Sequence, residues 1–195
     1  VVNTLAIEEK EELKRFWFHS FYTALSTKYL AKKFEPHLSF EELWSAAILH
    51  DIGKLVYLKF FQDHYKALSH FSTEQGCLFS AAEQHFSLPT SALFGTLLSN
   101  HWRLPAHVKS ACERHSLTDL TEIKENNRMA RFARMICLGN LLTVLSSNDL
   151  NDDVKQEIVG ATRTALSCQE PEFLAMMGDI YELRIDVERF MDQFG

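Results

Sequence analysis

The segment Ala46-Ala47-Ile48-Leu49-His50-Asp51-Ile52-Gly53-Lys54-Leu55-Val56 joins an apolar helical run to an adjacent histidine and aspartate, then to a glycine and a lysine. Most of these residues favour burial. A His-Asp pair set among them requires a metal, a proton partner or a hydrogen-bond network, because a buried polar group without one is costly. Side chains one residue apart on a helix point about 100° apart. They converge on one ion only near the helix end, where this pair stands.

Outward from that point the chain reads as helices. Ser39-Phe40-Glu41-Glu42 predicts a capping box at the start of the His-Asp helix, with Ser39 as cap and Glu42 at the third position. Before it, Glu35-Pro36-His37-Leu38 closes a long helix over Glu8 to Phe34. Leu13, Phe16, Trp17, Phe21, Ala24 and Lys28 fall near one face of it, with Ser20 in the stripe and His19 beside it. After the His-Asp pair, Gly53 lets the chain leave its helix, and a short helix over Lys54 to Phe60 follows. Asp63 is the expected cap of the next helix, which runs to Gln75.

Gly76 separates a segment from Leu78 to Phe86, and Pro89 or Thr90 opens another helix. Gly95 lies inside that helix at a cost of about 0.5–1 kcal/mol, for which close helix packing is the usual reason. Leu104-Pro105 starts a short helix ending near His115, and Ser116 to Glu122 is expected to be a loop. From Lys124 to Leu145, apolar residues recur at three- and four-residue steps, with Asn140 a polar member of the stripe. Ser146 to Asp149 breaks that helix. Two or three helices are expected beyond it, over Asp152 to Leu166, over Pro171 to Met177, and a last one through Ile185, Val187 and Phe190. No stretch alternates convincingly enough for a strand, so the fold class is an all-α, multi-helix bundle.

Composition sets the outer bounds. Hydrophobic residues make up 46% of 195 residues and charged ones 24%, with 15 phenylalanines, 4 prolines and 7 glycines. These values describe a packed chain with a sizeable core. The formal charge of −6 disfavours binding to a nucleic-acid backbone. Cys77, Cys112, Cys137 and Cys168 are dispersed without metal-finger spacing, which suits reduced thiols in the cytoplasm. No apolar run is long enough for a membrane span, and no phosphate loop, dinucleotide fingerprint or nucleophile motif occurs.

Imidazole and carboxylate together suit zinc, iron or manganese. His19 can supply a second nitrogen from the preceding helix if the two pack antiparallel. His115 can supply one from a later helix end, and Asn140 can offer an amide oxygen.

His19, then His50-Asp51, then an inward polar residue at Asn140, resembles the HD metal-dependent phosphohydrolase superfamily. The chain is more closely similar to the HDOD domain of bacterial signalling proteins, relatives of the HD-GYP cyclic-di-GMP phosphodiesterases. The resemblance rests on Phe16-Trp17-Phe18-His19-Ser20, on Ala47 to Leu55, on Glu83, on Gly95-Thr96-Leu97-Leu98 and on Trp102-Arg103-Leu104-Pro105. It covers Leu13 to Leu145. It implies that residues 1–195 form an HDOD-like helical domain, the C-terminal part of a larger HDOD region, with residues 150–195 as a helical tail packed on it.

The resemblance places His19, His50 and Asp51 at metal-ligand positions, with His115 and Asn140 as further candidates. If the chain is an enzyme, it makes Lys54 and Asp51 the catalytic residues, Lys54 assisting phosphate binding. The family pattern departs at three places. Ser91 stands where a histidine is expected, Ser116 replaces the second of a paired histidine, and Asn140 stands where an aspartate closes the site. No Gly-Tyr-Pro occurs. A degenerate metal site of this kind implies a non-catalytic regulatory module of bacterial signal transduction, acting through partner or small-ligand binding. No cofactor is expected beyond a weakly held divalent metal. A protein partner, a fused sensor or receiver domain, or a second copy is expected, and neither nucleic acid nor membrane. The alternative is a metal-dependent phosphohydrolase or phosphodiesterase acting on a nucleotide or cyclic dinucleotide.

Overall fold

A computed structural model describes residues 10–193, and among them there are helices and no strand. In chain order the helices are α1 (Lys10–Phe34), α2 (Phe40–Leu49), α3 (Lys54–Phe60), α4 (Gln62–Gln75), α5 (Phe79–His85), α6 (Ser91–His101), α7 (Ala106–Glu113), α8 (Leu117–Glu122), α9 (Arg128–Ser147), α10 (Asp152–Leu166) and α11 (Glu170–Asp192). The first two residues of the expected long helix, Glu8 and Glu9, lie outside the described residues.

Local chemistry explains most boundaries. Ser39 accepts from the Glu42 amide at 3.3 Å and starts α2. The Glu42 carboxylate does not complete the expected box and is instead bonded to Arg128, tying α2 to α9. Thr90, Asn127 and Asn151 cap α6, α9 and α10 in the same way, each accepting from the amide three residues on. Asp63 does not cap α4. Phe61 holds that position without a side-chain bond, and Asp63 sits in the first turn, where its charge favours the helix N-terminus. Gly76 ends α4 at φ 57°, a left-handed conformation that glycine adopts without strain.

Two expectations fail towards more helix. Ser116 to Glu122 is a helix rather than a loop, because Ser116 and Asp119 form a full capping box and Leu117 and Leu120 are buried. The chain beyond Pro171 is one continuous helix, not two. Gly178 sits inside it, and Phe173, Met176, Ile180 and Val187 bury one uninterrupted face.

α1 is buried on a wider and more polar side than its apolar stripe predicts. Lys28 is exposed, while Ser20, Thr23, Ser26 and Thr27 are fully buried beside Ala24 and Ala31. These short side chains let α9 approach closely. A Cβ at Gly139 would lie 2.0 Å from the Thr27 hydroxyl. α9 is long and apolar enough to cross a membrane by length and composition, but 61% of its apolar window is buried here, as in a core helix.

The buried apolar residues form two groups. The larger joins α1, α2, α9, α10 and α11, and the smaller joins the start of α1 to α3, α4, α5 and α7. On α1, Phe16 belongs to the smaller and Tyr22 to the larger. His19 therefore stands at the seam between them, and the His50-Asp51 turn crosses the same seam from α2 to α3.

Candidate functional site

α2 ends at Leu49, and a turn carries His50 to Gly53 into α3. Gly53 has ordinary right-handed helical angles, φ −64° and ψ −24°, so it is not a hinge that releases the chain. It is required by close approach. A Cβ there would fall 1.8 Å from the Ser91 carbonyl oxygen and 2.5 Å from the Gly95 nitrogen. Gly95 is small for the matching reason, since its own Cβ would be 3.2 Å from the Cys112 Cβ. The turn is thus pressed directly onto the backbone of α6.

Asp51 is the hub and is almost wholly buried. Its Oδ2 lies 2.6 Å from Lys54 Nζ, 3.3 Å from His19 Nε2 and 3.4 Å from His50 Nε2. Its Oδ1 lies 3.3 Å from His115 Nε2. Burial alone would raise the Asp51 carboxyl. The Lys54 ammonium and the hydrogen bonds from His115 and His19 outweigh that and hold it well below the usual carboxylate range.

The histidines are oriented by backbone carbonyls. His50 Nδ1 donates to the Ala47 oxygen at 2.7 Å, and His115 Nδ1 donates to the Ala111 oxygen at 2.9 Å. A carbonyl only accepts, so both rings turn their Nε2 atoms towards Asp51. Burial lowers the His50 imidazole to about 3, further than Asp51 raises it, so His50 is neutral and its Nε2 carries a lone pair. His115 moves the other way. Burial would lower it, but its hydrogen bond to Asp51 raises it above its ordinary value.

His19, His50 and Asp51 place two nitrogens and an oxygen at the corners of a nearly equilateral triangle, with sides of 3.3, 3.3 and 3.4 Å. Three ligands of a tetrahedral ion with bonds of about 2.0–2.1 Å are separated by roughly these distances. Fixed Nδ1 donors behind a ligating imidazole are the usual outer support of a metal site. These three residues fit a divalent ion.

The other candidates separate. His115 reaches Asp51 by its second oxygen, outside the His19–His50–Asp51 group. Asn140 donates its amide N–H to the His115 carbonyl at 2.9 Å, and its buried Oδ1 has no partner among the described residues. Ser116 is committed to capping α8, its hydroxyl 2.6 Å from Asp119 Oδ2. Ser91 is held by its backbone. Its amide donates to Glu83 Oε1 at 2.7 Å, so Glu83 caps the start of α6 and takes no part in the triangle.

The cluster forms one wall of a cavity of about 530 Å³, within the range of small-molecule sites. Tyr65, Phe79, Ser72 and Thr73 from α4 and α5, and Arg184 from α11, also line it. Lys54 Nζ lies 4.9 Å from the centre of the Phe79 ring, a cation–π contact. Sequence reasoning missed these residues, because helical periodicity marks which side of a helix is buried but not which cavity it meets.

Comparison with known proteins matches the chain to the HDOD domain over residues 2–117. The chain belongs to the HDOD family. That span includes His19, His50, Asp51, Lys54 and His115 but not Asn140. No curated protein matches the chain in sequence. Among solved structures, an HDOD domain protein of unknown function from Geobacter sulfurreducens aligns with TM-score 0.68 and 16% identity, over 93% of this chain and 63% of that one. A putative signal transduction protein from Marinobacter aquaeolei VT8 aligns with TM-score 0.69 and 16% identity, over 91% and 38%. A putative phosphohydrolase from Shewanella amazonensis SB2B aligns with TM-score 0.58 and 19% identity, over 89% and 60%. This HDOD chain thus spans less than two thirds of each of these proteins, and the likeness establishes the helical HDOD fold.

Proposed function

We propose that this HDOD chain is a non-catalytic regulatory module of bacterial signal transduction. It works in the cytoplasm, takes a small ligand into the cavity beside the His-Asp turn, and passes its bound state to a protein partner or an attached sensor or receiver domain. The observation that carries this reading is the surroundings of Asp51. Its carboxylate is already occupied from within, by the Lys54 ammonium on one oxygen and a hydrogen bond from His115 on the other. Asn140 adds no charge where the superfamily's pattern has a carboxylate, and its amide nitrogen is held by the His115 carbonyl. A hydrolytic metal centre depends on carboxylate charge facing the ion, and here little of it is left uncompensated. The Marinobacter neighbour, described as a putative signal transduction protein, agrees with this reading.

A second reading, a metal-dependent phosphohydrolase acting on a nucleotide or cyclic dinucleotide, is favoured by the His19–His50–Asp51 triangle and by the Shewanella neighbour's description. His19, His50 and Asp51 would hold a divalent ion, which when bound polarises a phosphoryl oxygen and acidifies water. Lys54 would hold the phosphate.

One experiment separates the two. Protein purified without chelator is titrated with Mn²⁺ and Zn²⁺ by calorimetry and assayed with bis(p-nitrophenyl) phosphate. The expected result is no hydrolysis above that of His50→Ala. Hydrolysis that His50→Ala abolishes would replace the regulatory reading with the enzymatic one.

A further inference from the structure

Lys54 opens α3 at a position where a positive charge is disfavoured, because the free amides of a helix start are the positive end of its dipole. No acidic residue stands in the first turn of α3 to offset it. The ammonium is held instead by Asp51, with Nζ 2.6 Å from Oδ2. Oδ2 is also the oxygen that faces His19 and His50. The other oxygen, Oδ1, lies 3.3 Å from His115 Nε2, so the carboxylate keeps no second oxygen for the lysine. Lys54 therefore sits on the one atom of Asp51 that the His19–His50–Asp51 triangle offers to an ion.

Charge and distance set the two cations against each other. Imidazole ligates a metal as a neutral group. Asp51 thus supplies the only negative charge of the triangle, and Lys54 cancels it. An ion bound about 2.1 Å from Oδ2, in whatever direction, lies within about 4.7 Å of an ammonium 2.6 Å from the same atom. Like charges so close, beside a carboxylate that is only 2% exposed, repel with little water between them. Tight binding of the ion requires that Lys54 leave. The lysine side chain is 21% exposed and lines the cavity, so it has room to turn away. The Phe79 ring, its centre 4.9 Å from Nζ, offers the displaced ammonium a cation–π contact.

We propose that Lys54 is a tethered competitor for the divalent-ion site, its ammonium occupying Asp51 Oδ2 in place of the ion. The triangle fits an ion in its geometry, and Lys54 sets how tightly the ion is held. The competitor is built into the turn itself. Asp51 and Lys54 are three residues apart, and the Asp51 carbonyl accepts from the Lys54 amide at 2.9 Å, which fixes the two backbones relative to each other. The ammonium is therefore always within reach of the carboxylate, at an effective concentration that a dissolved ion must overcome. This role of Lys54 rests on the regulatory reading of the same site, and the two fail by different results. Hydrolysis by the parent removes the reading, and an unchanged ion affinity on loss of the lysine charge removes the competitor.

The test is titration of Co²⁺ into the chelator-treated parent, Lys54→Met, Lys54→Arg and the double variant Lys54→Met with His19→Ala. The visible absorption of Co²⁺ reads its ligation, and circular dichroism confirms that each variant folds. Methionine keeps most of the side-chain length and removes the charge. Lys54→Met is expected to bind Co²⁺ about tenfold more tightly than the parent, or better. The double variant is expected to lose that gain, because the ion has lost a ligand. Lys54→Arg keeps the charge and is expected to bind no more tightly than the parent. If Lys54→Met does not fold, Lys54→Gln, whose neutral amide can still donate to Asp51, carries the same expectation. An affinity in the neutral variant equal to or below that of the parent overturns the proposal. So does a gain that survives His19→Ala, which places the ion elsewhere, or one that Lys54→Arg reproduces, which separates it from charge.

Discussion

The helix glycines separate two kinds of region. Around the His-Asp turn, Gly53 meets the backbone of α6 and Gly139 meets Thr27, and neither has room for a Cβ. In the outer pair α10 and α11, Gly160 and Gly178 have no atom of the described residues within 4 Å of that position. The inner region is set by main-chain contact, which does not yield, so distances between its helices are held closely. The outer region is held by buried side chains on one face and leaves the other face open. A site whose donor atoms must converge within tenths of an ångström belongs in the first kind of region.

The sharpest way to break this contrast is Gly53→Ala. The atoms it meets are backbone on α6, so relief requires the turn to lift away. The expected cost is about 4 kcal/mol or more, enough to prevent folding of a marginal domain. Urea unfolding reads it, and a variant within about 1 kcal/mol of the parent would refute the close approach.

Next comes Asp51→Ala, which leaves His115 and Lys54 without their shared carboxylate. Breaking a fully buried ion pair costs about 3–5 kcal/mol. About 2–4 kcal/mol is expected here, because Lys54 and His19 keep a path to water. Chemical denaturation measures the loss, and an effect below about 1 kcal/mol would mean that Asp51 does not organise the cluster.

Gly139→Ala should cost less, about 1–2 kcal/mol. The Thr27 hydroxyl at 2.0 Å can rotate away, the Thr27 Cβ and Cα at 3.0 and 3.1 Å must give by a few tenths of an ångström, and alanine returns part of the loss through helix propensity. Adding Thr27→Ala is expected to recover part of the melting temperature, and strict additivity of the two changes would show that they do not touch.

In the outer region the sign reverses. Gly160→Ala meets nothing and is expected to stabilise by about 0.5–1 kcal/mol, read as a raised melting temperature. A fall would place a contact where the structure has open space.

The smallest effect depends on pH. Burial raises the Glu83 carboxyl above its ordinary 4.5, against the hydrogen bonds from Ser91 that lower it. The folded chain therefore keeps this proton to higher pH than the unfolded chain. The contribution of Glu83 to stability falls as pH rises from 4.5 through the folded value. Glu83→Gln removes that dependence, so its melting temperature should gain on the parent's across this window. A constant difference would show that Glu83 titrates alike in both states.

Much of the molecule was legible beforehand where a local rule governs it. The helix starts at Ser39 and Thr90, the break at Gly76 and the buried Asn140 follow from capping, backbone conformation and periodicity. Ser116 to Glu122 was misread because its polar residues looked like a loop, although Ser116 and Asp119 spell a capping box. The expected division after Met177 is absent, because Phe173, Met176, Ile180 and Val187 bury one continuous face. The triangle was legible in its members, since His50 and Asp51 are adjacent and His19 lies on the helix before them. For Lys54, to which the resemblance gives a phosphate-assisting role if the chain is an enzyme, the structure adds an ion pair with Asp51 at 2.6 Å.

The sequence by itself determined the helical architecture, the HDOD family resemblance, and His19, His50 and Asp51 as the residues to watch, because each follows from patterns within a few turns of chain. Tertiary structure alone decided that His115 takes the second oxygen of Asp51, that Asn140 spends its amide on a backbone carbonyl, and that α4, α5 and α11 complete the cavity. Those outcomes depend on how close α1, α6 and α9 come. That spacing is set where Gly53 meets Ser91 and where Gly139 meets Thr27, residues far apart in the chain that no local pattern connects.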